Sequence, residues 1–226
     1  MKKSLYLIVC AAALFVTGSC QKLTTEGLTR TTYYPIIELD GGEVFLSKGA
    51  AYVEPGFKAT LNGEDVSSSV TVTSNVNTAV PGAYSVIYSA VNSDGFSASE
   101  VRPVYVINPG GIDNLYFGSC SMGTRSYKNL FPIVINEVSS GVYEIDDLCG
   151  GFYCFGRYPG YEPSYDFHAD TRFKIEADNS LTILAAGDWY FRSSFDYGNV
   201  TGQFDPATGT FDYDFDGLQV NLVPFE

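Results

Sequence analysis

The chain has 226 residues and carries 26 acidic against 13 basic side chains, a formal charge of −13. So acidic a protein repels the phosphates of nucleic acid and of anionic lipid headgroups, which excludes both as partners and leaves neutral or cationic ones. Aromatic residues make up 15% of the chain, led by Tyr and Phe, and together with the many β-branched residues they favour strands over helices.

The opening residues, MKKSLYLIVCAAALFVTGSC, place Lys2 and Lys3 before an apolar run from Leu5 to Val16 and close on small residues. This is the layout of a secretory signal over residues 1–19, and its apolar run falls well short of the ~20 residues of a membrane-spanning helix. Thr17-Gly18-Ser19-Cys20 resembles the lipobox of bacterial lipoproteins. That resemblance implies that Cys20 becomes the acylated N-terminus and the lipid attachment site, with residues 20–33 as anchor and polar tether. Contact with the membrane is then expected through the lipid alone, since several acyl chains hold a domain at a bilayer surface at ~0.8 kcal/mol per buried methylene. Gln21 stands where an Asp would follow the cysteine, which by resemblance to enterobacterial lipoproteins implies passage to the outer membrane. Surface-displayed lipoproteins of Bacteroidetes carry an acidic cluster after the cysteine, where this chain has only Glu26. The expected location is the outer membrane, with the cell surface ahead of the periplasmic face. Cleavage removes Lys2 and Lys3 from the 13 basic residues, leaving 11 against 26 acidic and making the mature chain still more acidic.

Residues 34–108 read as about seven short strands, each bounded by Gly, Asn, Asp or Pro, the density of a small two-sheet sandwich. In Tyr84-Ser85-Val86-Ile87-Tyr88-Ser89 the apolar Tyr84, Val86 and Tyr88 fall on one side of a strand. Asn62-Gly63 and Asp94-Gly95 read as hairpin turns with both central residues at positive φ. Glu54-Pro55-Gly56-Phe57, the turn-into-strand Pro81-Gly82-Ala83-Tyr84-Ser85-Val86 and Asn92-Ser93-Asp94-Gly95 resemble the immunoglobulin-like domains repeated in Bacteroidetes cell-surface proteins. The resemblance implies a spacer or interaction module and names no ligand.

Asn108 to Asp113, NPGGID, forms a Pro/Gly joint, with residues 109–113 as linker. The remainder, residues 114–226, is again all β by pattern. It folds back at Ser139-Ser140-Gly141, at Ala177-Asp178-Asn179-Ser180 and at Pro206-Ala207-Thr208-Gly209, with further strands at Leu115 to Ser119 and Leu218 to Val223. Successive hairpins predict an antiparallel meander closing into a barrel or a compact sandwich. In Asp212 to Gly217, DYDFDG, the three acids fall on alternate positions as in the start of a calcium loop, but position twelve is Val223 where that loop needs Glu. A strand with Phe211, Tyr213 and Phe215 inward explains the pattern better. The sequence of lipobox, immunoglobulin-like module and β-rich C-terminal domain resembles lipoproteins of gut Bacteroidetes, many of them encoded in glycan-uptake loci.

The stretch Gly150 to Asp170 concentrates the candidate chemistry. With Cys10 in the leader and Cys20 acylated, Cys120, Cys149 and Cys154 remain. Cys149 and Cys154 can close a small disulfide loop in an exported protein, or all three can be buried thiols. Cys149, Cys154 and His168 offer three zinc-type ligands at unconventional spacing, short of the four of a structural zinc, so neither metal nor cofactor is expected. No catalytic residue is assigned. The lone histidine sits in a strand-like segment, and the acids Asp146, Asp147, Asp166 and Asp170 form no recognisable pair. Gly151 to Phe155 reads as a buried strand. Pro159, Gly160 and Pro163 then force a loop, which leaves Tyr158, Tyr161 and Tyr165 where core burial does not require them. Rings with polar tips on a stiff loop suit stacking on sugar C–H faces or on a partner's side chains, although such a loop can also pack its own tyrosines over the barrel end. Trp189 is a fourth candidate for ligand binding, or a core plug. The expected function is a non-catalytic, lipid-anchored protein binding glycan or an envelope protein, accessory to polysaccharide uptake. The alternatives are an exported glycoside hydrolase or other hydrolase, and a structural or adhesive surface subunit.

Overall fold

The computed structural model describes residues 31–187, 189–191 and 200–226. The leader, Cys20 and most of the tether lie outside these residues. Among the described residues from Tyr34 onward the regular structure is all β apart from one 3-10 turn, Ser67–Ser69, and one π-helical turn, Phe152–Arg157.

The first strands form two facing sheets. One contains β1 (Ile36–Leu39), β3 (Phe57–Leu61) and β4 (Glu64–Asp65). The other contains β2 (Val44–Ser47), β7 (Ser97–Ile107), β6 (Gly82–Val91) and β5 (Thr71–Ser74), in that order, with β2 parallel to β7. Alternation along the strands sends Ile37, Ala59, Val86, Tyr88, Ala90 and Val104 into the space between them. The Asn62-Gly63 turn has both residues at positive φ, as expected. At Asp94-Gly95 only Gly95 does, because the Asn92 side chain accepts the N–H groups of Asp94 and Phe96 and holds a longer loop.

The same alternation that buries Val104 and Val106 buries Arg102, whose exposure is zero. Its guanidinium donates to the carbonyl oxygens of Asp40 (2.9 Å), Gly42 (3.0 Å) and Gly56 (2.8 Å), to Glu54 Oε1 (3.1 Å) and to the Tyr88 hydroxyl (3.3 Å). Arg102 therefore ties β7 to both loops of the opposite sheet. Burial alone raises the Glu54 carboxyl. The hydroxyls of Tyr52 and Tyr88, the Gly56 N–H and the Arg102 charge outweigh that and hold it below its ordinary value. A depressed carboxylate contributes its stability in full above the unfolded value of ~4.3 and loses it as pH falls through the folded value. Glu54→Gln is therefore expected to flatten the acid side of the stability profile. Urea midpoints measured between about pH 6 and pH 3 check this, and an unchanged slope in the variant rejects it.

The C-terminal strands are β8 (Asn114–Met122), β9 (Arg125–Ser139), β10 (Val142–Ile145), β11 (Thr171–Ile175), β12 (Leu181–Ala186), β13 (Val200–Asp205), β14 (Thr210–Phe215) and β15 (Leu218–Pro224). Each pairs antiparallel with its neighbour in sequence except at one seam, and β15 returns to pair with β8. The seam between β12 and β13 is narrowed by the Ser180–Gln203 bridge and by Phe204 N–H donating to the Asn179 carbonyl at 2.9 Å. The result is a nearly closed eight-stranded meander barrel, an arrangement that leaves little unpaired edge. All three predicted reversals fall between strands, and β14 alternates as expected, with Phe211, Tyr213 and Phe215 buried.

The joint between the two sets of strands is well tied. Asn114 Oδ1 accepts the Asn108 N–H, and its amide donates to the Phe225 carbonyl. Lys48 pairs with Asp113. Phe45, Tyr105, Phe131, Phe117 and Phe225 stack across the join, with Phe45 and Phe225 centroids 4.7 Å apart.

Candidate functional site

Between β10 and β11 the chain leaves the barrel wall and covers its end. The expected strand at Gly151 to Phe155 is instead the π-helical turn, entered through Gly150 and Gly151 at φ +60° and +84°. An apolar run without alternation carries no period to separate the two. The turn is seated on β8, where a Cβ on Gly118 would meet the Gly150 carbonyl at 2.1 Å. Asp147, fully buried, organises it from beneath. Its carboxylate accepts the N–H groups of Cys149 (2.9 Å), Gly151 (2.8 Å) and Ala169 (3.3 Å). Burial raises the Asp147 carboxyl and pushes that of Asp146 up to about 7. Asp146 in turn accepts the Val134 N–H at 2.9 Å. Both acids are thus committed to backbone amides and act as scaffold.

Cys120, Cys149 and Cys154 are all buried free thiols. Cys149 and Cys154, weighed as a disulfide pair, stand here as separate thiols. Cys120 donates to the carbonyls of Cys149 and Gly150, and burial pushes its thiol up to about 12. His168 lies in an extended segment outside any strand, half-buried. Its Nδ1 is 2.8 Å from Asp166 Oδ1 and 3.1 Å from Glu162 Oε1. Burial lowers the imidazole, but Asp147, Asp166, Asp146 and Glu162 together raise it above its ordinary value.

The proline-containing loop, residues 158–166, brings its tyrosines together around Phe167. Phe167 is buried, and it stacks on Tyr165 (6.2 Å, 7°) and on Phe191 (5.3 Å, 11°), with Tyr190 edge-on at 5.0 Å. Tyr158 and Tyr161 complete the group at 5.2 and 6.1 Å from Phe167. The outer rings remain substantially exposed: Tyr161 52%, Tyr165 45%, Tyr190 57% and Phe191 40%. Tyr158 is half-buried, with Arg157 donating to its hydroxyl at 2.8 Å and lying over its ring. Beside this patch a groove of about 290 Å³ is lined by Met122, Tyr153, Trp189, Phe191 and Phe215. Trp189 does not belong to the exposed surface. It is buried in the barrel core and its Nε1 donates to the Phe167 carbonyl at 2.9 Å, so it supports the patch from below. Tyr190 and Phe191, beside Trp189 in sequence, are the members that sequence reasoning missed. The signal available was the run Trp189-Tyr190-Phe191, in which a strand pattern allows only alternate residues to be buried.

A two-sheet sandwich joined to a nearly closed meander barrel defines a two-module, all-β protein. The model of the Ig-like domain of bacterial surface proteins matches residues 37–106, and a family model of a C-terminal domain matches residues 109–223. The latter covers just over half of the chain, which therefore belongs to the family that this C-terminal domain defines. The crystal structure of the lipoprotein BT2262 from Bacteroides thetaiotaomicron is similar at 29% identity and a TM-score of 0.59, over 85% of this chain and 100% of that one. Two structures of ZmpB from Clostridium perfringens also align. One holds its M60 catalytic domain with two CBM51 domains, at 17% identity and a TM-score of 0.30, over 82% of this chain and 15% of that one. The other holds a CBM51 domain in complex with GlcNAc and INT domains, at 18% identity and a TM-score of 0.29, over 81% of this chain and 30% of that one. A comparison with curated proteins gives no match. Among the described residues no helix is long and apolar enough to cross a membrane.

Proposed function

We propose that the protein is a lipid-anchored outer-membrane protein that binds glycan without turning it over, through the ring cluster on the barrel end, with the Ig-like module as a stalk. The observation that carries this reading is the exposure of Tyr161, Tyr165, Tyr190 and Phe191 around a buried Phe167. Flat rings presented on a braced support stack against the C–H faces of sugar rings with little loss of side-chain freedom. The abundance of acid around the loop favours neutral glycans over anionic ones. The lipobox at Cys20 and the similarity to a Bacteroides lipoprotein support the anchor, and cell-surface display, with a role accessory to polysaccharide uptake, follows as part of the same proposal.

The test is a glycan array probed with the full chain, followed by titration of the best ligand. Tyr161→Ala and Tyr165→Ala are each expected to weaken binding by roughly 5-fold or more, in line with about 1 kcal/mol per stacked ring, with unchanged circular dichroism. Glycan binding that survives the double substitution rejects the ring cluster as the site. Release of shortened glycan by the wild-type chain rejects the non-catalytic reading.

A further inference from the structure

The π-helical turn and the loop that follows it bring together three side chains of metal-binding type that are well separated in sequence. Cys154 Sγ, a carboxylate oxygen of Glu162 and a ring nitrogen of His168 all lie within 4.8 Å of one another. Cys149, the thiol that spacing suggested as a partner, is not among them, and Glu162 takes its place. We infer that Cys154, Glu162 and His168 form a binding site for a zinc-type divalent transition ion, which fastens the tyrosine loop to the π-helical turn.

Three features support the assignment. First, the donor set is borderline-soft: one sulfur, one imidazole nitrogen and one carboxylate suit zinc, whereas calcium and magnesium take oxygen alone. Second, the spacing is right. With zinc bonds of about 2.0–2.3 Å in a tetrahedron, neighbouring donors stand roughly 3.3–3.7 Å apart, which atoms lying within 4.8 Å of one another reach by side-chain shifts of about an ångström. Third, two of the three donors already face each other. Glu162 Oε1 stands 3.1 Å from His168 Nδ1, while Asp166, 2.8 Å from the same nitrogen, is also held by the His168 backbone N–H.

The site is also accessible from one side. Cys154 is buried, His168 is about a quarter exposed and Glu162 43% exposed, so an ion enters past the carboxylate and is held by sulfur at the inner end. The fourth position of the ion is left to solvent. On binding, the Cys154 thiol and the protonated form of His168 each give up a proton to solvent, and the thiolate, neutral imidazole and carboxylate together bring two negative charges to the dication. The inference is independent of the glycan reading, since it rests on the inner side of the loop and not on the exposed rings.

The experiment is titration of the full chain, purified in detergent, reduced and stripped with chelator, with Co²⁺ alone. One equivalent is expected to produce tetrahedral cobalt bands in the visible and a thiolate-to-cobalt charge-transfer band in the near ultraviolet, both abolished by one equivalent of Zn²⁺. Cys154→Ser is expected to remove the charge-transfer band. His168→Gln and Glu162→Gln, which change half-exposed or exposed side chains, are expected to weaken cobalt binding at least about tenfold, and they serve if the serine variant does not fold. No cobalt spectrum from the folded wild-type chain overturns the assignment. So does a charge-transfer band that persists in a folded Cys154→Ser variant, or cobalt affinity unchanged in both glutamine variants. Glycan binding that fails while cobalt binds as expected leaves this site standing and removes only the ring-cluster reading.

Discussion

Arg102→Ala is expected to destabilise the Ig-like module by about 3–5 kcal/mol, the cost typical of removing one partner from a buried charged network. The size follows from what would be left behind. The guanidinium donates to four backbone carbonyls, to Glu54 and to Tyr88, so truncation takes this donor from Asp40, Gly41 and Gly42 at once, while the Gly56 carbonyl keeps the Asp40 N–H. An acceptor left without a donor costs about 1–3 kcal/mol where water cannot reach it, and less at the exposed residues Asp40, Gly41 and Gly42. Glu54 is less affected, because it keeps the hydroxyls of Tyr52 and Tyr88 and the Gly56 N–H. Arg102→Lys keeps the charge but replaces a planar fork with a compact ammonium having three donors, and it is expected to recover only part of the loss. Urea unfolding of the full chain followed by far-ultraviolet circular dichroism reads the effect. A midpoint for Arg102→Ala within error of wild type shows that the network is replaceable by water and that the module is held by its apolar core alone.

Arg102 also shows where the sequence speaks and where it is silent. Its position was readable: Arg102, Val104 and Val106 stand in one alternating register, so an arginine in phase with two buried valines signals a buried charge that must find acceptors. The acceptors come from chain about 50 to 60 residues earlier, and no local pattern announces them. The barrel follows the same division. The β9–β10, β11–β12 and β13–β14 reversals are marked by Gly141, Asn179 and Gly209 at positive φ, and the inward faces are marked by alternation. The segment over the barrel end has neither signal. Phe152 to Arg157 is apolar and aperiodic, and its π-helical form depends on Asp147 beneath it and Gly118 beside it. The loop tyrosines were legible as loop residues because proline excludes a central strand. Their assembly around Phe167, and the meeting of Cys154 with Glu162 and His168, depend on how the loop folds back, which composition does not encode.

Trp189 separates a ring that binds from a ring that supports. Trp189→Ala is expected to cost about 3–5 kcal/mol, the usual penalty for emptying a large aromatic site in a core. The ring contacts Tyr153 at 5.3 Å and Phe191 at 5.1 Å, and its Nε1 holds the Phe167 carbonyl, so the cavity opens directly beneath the exposed rings. Phe167 then loses both its anchor and part of its floor, and ligand binding fails along with stability. Tyr161→Ala removes a ring more than half exposed and is expected to shift stability by no more than about 0.5 kcal/mol while still weakening binding. Trp189→Phe refills most of the volume and forfeits the single hydrogen bond, for a loss of about 1 kcal/mol, and is expected to keep most of the binding. Circular-dichroism melts in urea read stability without relying on the fluorescence of the residue removed, and the same preparations are titrated with the array-selected glycan. A Trp189→Ala variant as stable as wild type but unable to bind returns the tryptophan to the ligand surface and contradicts its place in the core. Loss of binding in proportion to loss of stability, with Tyr161→Ala losing binding alone, assigns recognition to the outer rings and support to Trp189.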